Sequence, residues 1–300
     1  MKFNNNFEWY CDLSTKDNLK EFEKIPLNIF SATKNIYKED ISISVGYDGR
    51  INSKEIAKDY SSILSKCGAI VFESSDLISS SQFDYQITNS NSQIGIYITG
   101  GENPSNWNGI KIFTNEQFPN KDLFLENINS NESIVLKNLS QNKINYIDNT
   151  KDYYEYLIAN LETTRLINYA TQNPNKAGII IDAMGGATAT IVEDILTPLL
   201  WRSQTIFSEP DYNFYSRTPK IIESELESLR YNVESTESLL GIIFNGDGSD
   251  CGFINKNGEF ISKNNMLEKI STSGIFQYKI DKMIKDPILL ALSAVEYFII

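Results

Sequence analysis

ITGGENPSNWNGIKIF, Ile98 to Phe113, reads as the end of a strand, a glycine turn at Gly100 and Gly101, a turn at Pro104 and a second short strand from Ile110 to Phe113. Glycine lets the backbone take positive φ and approach a ligand closely, and proline fixes the way out. Upstream, ISISV places Ile41, Ile43 and Val45 on one face and runs into GYDGR. A helix from about Ser53 then gathers Ile56, Tyr60, Ile63, Leu64 and Cys67 on one face until Gly68 stops it, and GAIVF follows as a buried strand. Strand, helix and strand in that order imply a right-handed crossover and a largely parallel pair, the start of an α/β domain.

Working outward, residues 1–13 offer little beyond an asparagine-rich start, and Ser14 with Asp17 reads as a capping box opening a short helix through Leu19, Phe22 and Ile25. Phe72 to Gln93 is rich in Ser, Asn and Gln and reads as a loop; Asn115 to Thr150 reads as polar connecting structure, with a domain boundary near Asp148. A helix is expected from Asp152 to Tyr169, broken by Asn173 and Pro174. GIIIDAMGGAT, Gly178 to Thr188, is a buried strand entering a glycine turn and a helix through Ile191, Ile195 and Leu196. An amphipathic helix from Ile221 to Arg230 puts Glu223, Glu225 and Glu227 on solvated faces. In GIIFNGDGSDCGFINKNGEFIS, Gly241 to Ser262, a core strand leads to a hairpin turning at Lys256, Asn257 and Gly258. Asp and Asn alternating with Gly in such a turn can set several oxygens around a hard cation. Asp286 caps a last helix opened by Pro287, which buries Ile288, Leu292, Val295 and Ile299.

Composition removes several function classes. Three hundred residues with 41% apolar and 22% charged side chains suit two globular domains. A net charge of −12 and a pI near 4.6 argue against a nucleic-acid partner, which needs a basic stripe. The chain has no histidine, so Ser-His and Cys-His nucleophile pairs and imidazole-ligated metals are excluded. Cys11, Cys67 and Cys251 show neither disulfide nor zinc spacing. The N-terminus does not read as a signal peptide, and the terminal apolar run is short and interrupted by Glu296, so a cytoplasmic protein with no membrane partner is expected.

The central loop resembles the active-site loop of the α-D-phosphohexomutases, the superfamily of phosphoglucomutase and phosphomannomutase, whose pattern is T-A-S-H-N-P followed by N-G-I-K. Thr99, Asn103, Pro104, Asn108, Gly109, Ile110 and Lys111 match. VGYDGR is similar to the family's VGYDTR-type segment, with Asp48 and Arg50 matching, and GIIIDAMGGAT to its D-x-M-x-G-A segment, with Gly185 where many members carry histidine. The resemblance implies two α/β/α domains with mixed, largely parallel sheets, at 1–148 and 149–262. Residues 263–300 then stand either as a short helical remnant of a third domain, colinear with the family, or as a permuted start of the first. In the colinear register Thr272, Ser273 and Gly274 fall at the family's sugar-recognition loop. In either register the family's fourth, phosphate-holding domain is expected to be missing.

The resemblance also locates what has changed. The family's phosphoserine falls at Gly101 and the next histidine at Glu102, in a loop that otherwise keeps Thr99, Gly100, Asn103, Pro104 and Lys111. The metal loop D-G-D-x-D-R becomes Asn245, Gly246, Asp247, Gly248, Ser249 and Asp250, so two carboxylates are neutral and the arginine is an acid. Magnesium depends on carboxylate charge, so Asn245, Asp247 and Ser249 are a vestigial metal set, and no cofactor is expected unless that loop still takes Mg²⁺. The expectation is a catalytically inactive homologue that binds or regulates, with a full-length mutase, another protein or a second copy as partner. The alternative is residual chemistry or sugar-phosphate binding at the same cleft. Thr99 or Ser105 would then accept a phosphoryl group, and Arg50, Lys111 and the turn amides would hold the ligand.

Overall fold

The computed structural model describes residues 2–14, 16–37, 40–114, 118–130 and 142–300. The chain divides into two compact units, Met1–Asn149 and Thr150–Ile300. The first contains, in order, β1 (Glu8–Asp12), α1 (Lys16–Tyr37), β2 (Ser42–Tyr47), α2 (Ser53–Lys66), β3 (Ile70–Ser74), α3 (Ser80–Asn89), β4 (Ile94–Ile98), β5 (Trp107–Thr114), α4 (Lys121–Asn129) and β6 (Ile144–Ile147). Its six strands lie in the order β1-β5-β4-β2-β3-β6. β4, β2, β3 and β6 are parallel, while β5 returns antiparallel beside β4 and β1 antiparallel beside β5. Alternation decides the faces. Ile43, Val45, Ile96, Ile98, Ile110 and Ile112 join a core that also takes Phe22, Ile25 and Ile29 of α1, Ala57 and Leu64 of α2, and Phe124 and Ile128 of α4.

The opposite face corrects the reading of Phe72–Gln93 as a loop. α3 lies there, capped by Ser79, whose Oγ accepts the Gln82 N–H at 3.2 Å. Only two apolar side chains anchor it, Phe83 and Ile87, one turn apart. They fit because Gly46 and Gly95 leave the sheet bare beneath them: a Cβ on Gly46 would stand 2.5 Å from the Phe83 ring, and one on Gly95 2.2 Å from Ile87. The polar residues that disguise the helix are buried and paired, with Gln86 Oε1 accepting from Ser74 Oγ at 2.9 Å and Gln82 Nε2 donating to Asn149 Oδ1 at 2.9 Å.

Three more corrections fall in this unit. The asparagine-rich start contains β1, whose Phe7, Trp9 and Cys11 alternate onto the core. All six strands therefore come from Glu8 to Ile147, and the permuted C-terminus is not what completes this sheet. α1 runs through Pro26 to Tyr37 instead of ending near Ile25; the Asp17 and Leu19 side chains of its expected first turn lie outside the described residues. The connecting stretch holds α4, whose Asn120 cap accepts from Leu123 N–H at 3.0 Å, and β6, while 115–117 and 131–141 lie outside the description.

The second unit contains α5 (Thr150–Ala159), α6 (Thr163–Gln172), β7 (Gly178–Asp182), α7 (Ile191–Leu196), β8 (Arg202–Ile206), α8 (Glu227–Ser235), β9 (Leu240–Phe244), β10 (Cys251–Asn255), β11 (Phe260–Ser262), α9 (Lys263–Thr272), α10 (Ile280–Lys285) and α11 (Pro287–Tyr297). Its sheet order is β11-β10-β9-β7-β8, with β8, β7 and β9 parallel and the β10–β11 hairpin antiparallel. The helix expected across 152–169 is two helices, and the break is occupied. Asn160 O accepts from Lys279 Nζ at 2.8 Å and the Glu162 N–H donates to Glu296 Oε1 at 2.5 Å. The helix expected over Ile221–Arg230 is displaced to Glu227–Ser235, behind a single 3₁₀ turn at Glu223–Glu225. Residues 263–300 lie within the second unit: α9 and α11 pack on β10, and Tyr153 of α5 donates to the Asp286 carboxylate at 3.1 Å. Asp286 also caps α11, accepting from the Ile288 and Leu289 N–H groups at 3.0 Å. Among the described residues no helix is long and apolar enough to cross a membrane.

Candidate functional site

In the first unit the loops that follow β2 and β4 meet at the C-terminal end of the parallel strands, where open α/β sheets carry their ligands. The Asp48 N–H donates to Ile98 O at 3.0 Å, and the Thr99 N–H to Gly109 O at 3.1 Å. Arg50 is the hub. Its guanidinium is buried, and all five N–H groups have acceptors: Nε on Asp48 Oδ2 at 3.2 Å, Nη1 on Pro104 O at 2.7 Å and Trp107 O at 3.0 Å, Nη2 on Gly101 O at 2.6 Å and Asn103 O at 2.9 Å. Gly100 makes this possible, since a Cβ there would lie 2.5 Å from Arg50 Cζ. Arg50 is thus the internal brace of the loop, with every guanidinium N–H engaged within the protein.

Asp48 is buried beside it and accepts from the Arg50 N–H at 3.1 Å, from Ser53 Oγ at 2.8 Å and from the Thr99 hydroxyl. Burial pushes this carboxyl above its ordinary value, against the pull of Arg50 and those hydrogen bonds. Thr99 is fully buried, and its Oγ1 accepts the Gly101 N–H at 2.9 Å. A hydroxyl so enclosed is part of the turn, not a nucleophile open to a substrate. Asn103 closes the same turn through Nδ2 to Gly100 O at 2.9 Å, and Asn108 Nδ2 ties it to Ser53 Oγ at 2.9 Å. Glu102 and Pro104 are exposed. Lys111 stands opposite Tyr97 on the α3 face, two residues or roughly 7 Å down the sheet from the level of Thr99.

Gly101 has φ +57°, and a Cβ built on it would meet Tyr10 Oη at 2.9 Å and Cζ at 3.1 Å. The space a side chain would need at this position is therefore filled by a hydroxyl from β1. Sequence reasoning missed Tyr10, and its one signal is that it alternates with the core residues Trp9 and Cys11. The cysteines offer no substitute nucleophile: all three are buried, with burial pushing the Cys11 thiol up to about 11 and that of Cys251 far higher.

In the second unit, Asn245 and Asp247 are fully buried at the end of β9, with Ser249 half-buried. Ser249 donates through Oγ to Asp247 Oδ1 at 2.6 Å and through N–H to the same oxygen at 3.1 Å. Asn245 Oδ1 accepts the Asp250 N–H at 2.9 Å, and its Nδ2 donates to Ser249 Oγ at 3.1 Å. Beside this loop, Arg217 grips Asp182 of β7 in a two-pronged pair at 2.8 and 2.9 Å and lies 4.4 Å over the Phe207 ring, an arrangement with no signal in the sequence. Thr272, Ser273 and Gly274 lie at the C-terminal end of α9. Thr272 Oγ1 and Ser273 Oγ donate to the Glu268 and Ile270 carbonyls of their own helix, and Gly274, at φ +72°, ends α9.

Two family models match: phosphoglucomutase/phosphomannomutase α/β/α domain I over residues 14–133 and domain II over 151–258. The chain belongs to the phosphoglucomutase/phosphomannomutase family. A phosphomannomutase/phosphoglucomutase from Pseudomonas putida is 23% identical over 232 residues, covering 75% of this chain and 46% of that relative. A phosphomannomutase from Methanocaldococcus jannaschii is 26% identical over 267 residues, covering 83% and 56%. Among solved structures, that of a candidate phosphomannomutase from Thermus thermophilus superposes with a TM-score of 0.76 at 18% identity, over 94% of this chain and 62% of that one. The chain thus spans about half the length of the curated relatives it matches.

Membership in this family raises magnesium, and the second loop can be tested for it. Magnesium wants near-octahedral oxygens and carboxylate charge. Here one carboxylate, Asp247, is offered, and its Oδ1 already takes two hydrogens from Ser249. The Asn245 oxygen must face the Asp250 N–H, which turns its NH₂ toward Ser249. Among the described residues no three acidic or thiol side chains converge on a common point. The donor set does not fit the ion.

Proposed function

We propose that this chain is a catalytically silent member of the phosphohexomutase family that acts by binding, as a regulatory partner of a full-length mutase. The observation that carries this reading is the side-chain space at Gly101, taken up by Tyr10 Oη at 2.9 Å from where a Cβ would be. Family chemistry passes a phosphoryl group through a serine at that position, and a serine here would have to displace the Tyr10 hydroxyl. Thr99 is enclosed, and the metal loop supplies a single engaged carboxylate, so charge on a transferring phosphoryl group would go unneutralised.

The test is incubation with glucose 1,6-bisphosphate and magnesium, followed by intact-mass and peptide mass spectrometry. The mass should stay unchanged, and glucose 1-phosphate should not be converted to the 6-phosphate. A phosphorylated residue between Ile98 and Phe113, or turnover above a buffer control, would refute the reading. The partner is tested separately, by co-purification with a full-length mutase and by the change in that enzyme's rate when this chain is added.

A further inference from the structure

The hydrogen bonds of the Asn245–Asp250 loop do more than exclude magnesium; they account for how the loop closes in its absence. Three acidic side chains crowded on such a turn repel one another unless a cation sits among them. Asn245 and Ser249 each replace an acceptor-only carboxylate by a group that can donate. The donated hydrogens run in sequence, from Asn245 Nδ2 to Ser249 Oγ at 3.1 Å and from Ser249 Oγ to Asp247 Oδ1 at 2.6 Å. The backbone is tied at the same points: the Asn245 N–H reaches Asp250 O at 3.2 Å, the Gly248 N–H reaches Asn245 O at 3.0 Å, and the Gly246 N–H reaches Pro219 O at 3.2 Å. Asp250 is turned back onto the Cys251 N–H at 2.9 Å. One positive charge comes from outside the loop, as Lys263 at the start of α9 donates through Nζ to Ser249 O at 3.4 Å.

We propose that this loop has exchanged a divalent cation for an internal closure, in which the Asn245 amide and Ser249 hydroxyl supply the hydrogens and the Lys263 ammonium the positive charge. It is then a metal-independent structural clasp between the ends of β9 and β10. This holds for the second unit whether or not the first turns over a substrate.

Calorimetric melting in EDTA and in millimolar magnesium chloride tests it on the full chain. The wild type should melt at the same temperature in both. Lys263→Met should melt lower than wild type, and by the same amount in both buffers, because the donor set that excludes the metal is unchanged; a variant that melts with wild type would overturn the role given to Lys263. Ser249→Asp, and Asn245→Asp with Ser249→Asp, should acquire a magnesium-dependent rise that Asp247→Asn abolishes. A wild-type melting temperature that rises in magnesium and ceases to do so in Asp247→Asn would overturn the proposal outright. So would a folded Ser249→Asp variant indifferent to the metal.

Discussion

Returning the family's serine to the central loop should damage this protein before it could help it. In Gly101→Ser the new side chain starts from a backbone at φ +57°, which costs a non-glycine residue about 1–2 kcal/mol. Its Cβ would then stand 2.9 Å from Tyr10 Oη and 3.1 Å from Cζ, well inside contact distance. Turning the half-buried Tyr10 ring aside costs about 1–3 kcal/mol more, so the sum is on the order of 2–5 kcal/mol. The two terms separate in a double-mutant cycle. Tyr10→Phe removes the nearer atom and keeps the farther, so it should relieve Gly101→Ser in part; Tyr10→Ala should relieve the whole packing term and leave only the backbone cost. Coupling between positions 10 and 101 should therefore be favourable, about 1–3 kcal/mol, and larger with alanine than with phenylalanine. Urea unfolding followed by tryptophan fluorescence reads it, with Trp201→Phe as background so that Trp9 and Trp107 report on the first unit alone. Additive effects within about 0.5 kcal/mol would mean that Tyr10 does not hold the space, and the argument for silence would lose its geometric basis.

Two further predictions concern buried charge. Lys279 and Glu296 are paired at 2.5 Å with both side chains fully buried, so Lys279→Met should cost about 3–5 kcal/mol by stranding the carboxylate. Adding Glu296→Gln should return much of it in urea unfolding; a double variant weaker than the single one would sink the reading. Glu73 is buried with Oε2 unpartnered, and burial lifts its carboxyl above 4.5 despite Ser61, Lys58 and Lys54. The folded state then binds the proton more tightly than the unfolded, so this group's stabilising contribution is full below pH 4.5 and is lost as pH rises through the folded value. Glu73→Gln should therefore match wild type at pH 4 and melt higher than it at pH 7 and above, in roughly the window this linkage sets; the opposite trend would refute it.

What could be read in the sequence was what is local. The strand-loop-strand at Ile94–Phe113 and the hairpin at Cys251–Ser262 each carry their own alternation and turn residues, and both are present, though the second strand of the former runs from Trp107 to Thr114 instead of Ile110 to Phe113. α3 could not be read, because its helix is stabilised by Gln86 meeting Ser74, Gln82 meeting Asn149, and two glycines on neighbouring strands that make room for Phe83 and Ile87. The break between α5 and α6 was hidden for the same reason, being matched to Lys279 and Glu296 more than a hundred residues later. At the site, residue identities located the loop, but the direction in which Arg50 points depends on Gly100 having no Cβ beneath it.

That direction bears on what a matching motif means. Asp48 and Arg50 match the family pattern, and taken as chemistry they suggest a retained anion site. In the fold they hold the loop: one guanidinium ties four of its backbone carbonyls together, and Asp48 compensates its charge. Losing Arg50 would remove those ties whether or not a substrate ever binds. The pair is therefore required by the architecture alone, and its presence cannot be counted as evidence for catalysis. The informative positions are those that the loop does not need for its own closure. Position 101 is one, where only the backbone takes part in the closure, its carbonyl on Arg50 and its N–H on Thr99. There the serine is absent and Tyr10 has taken the volume, which is why the reading of this chain turns on that glycine and not on the residues that still match.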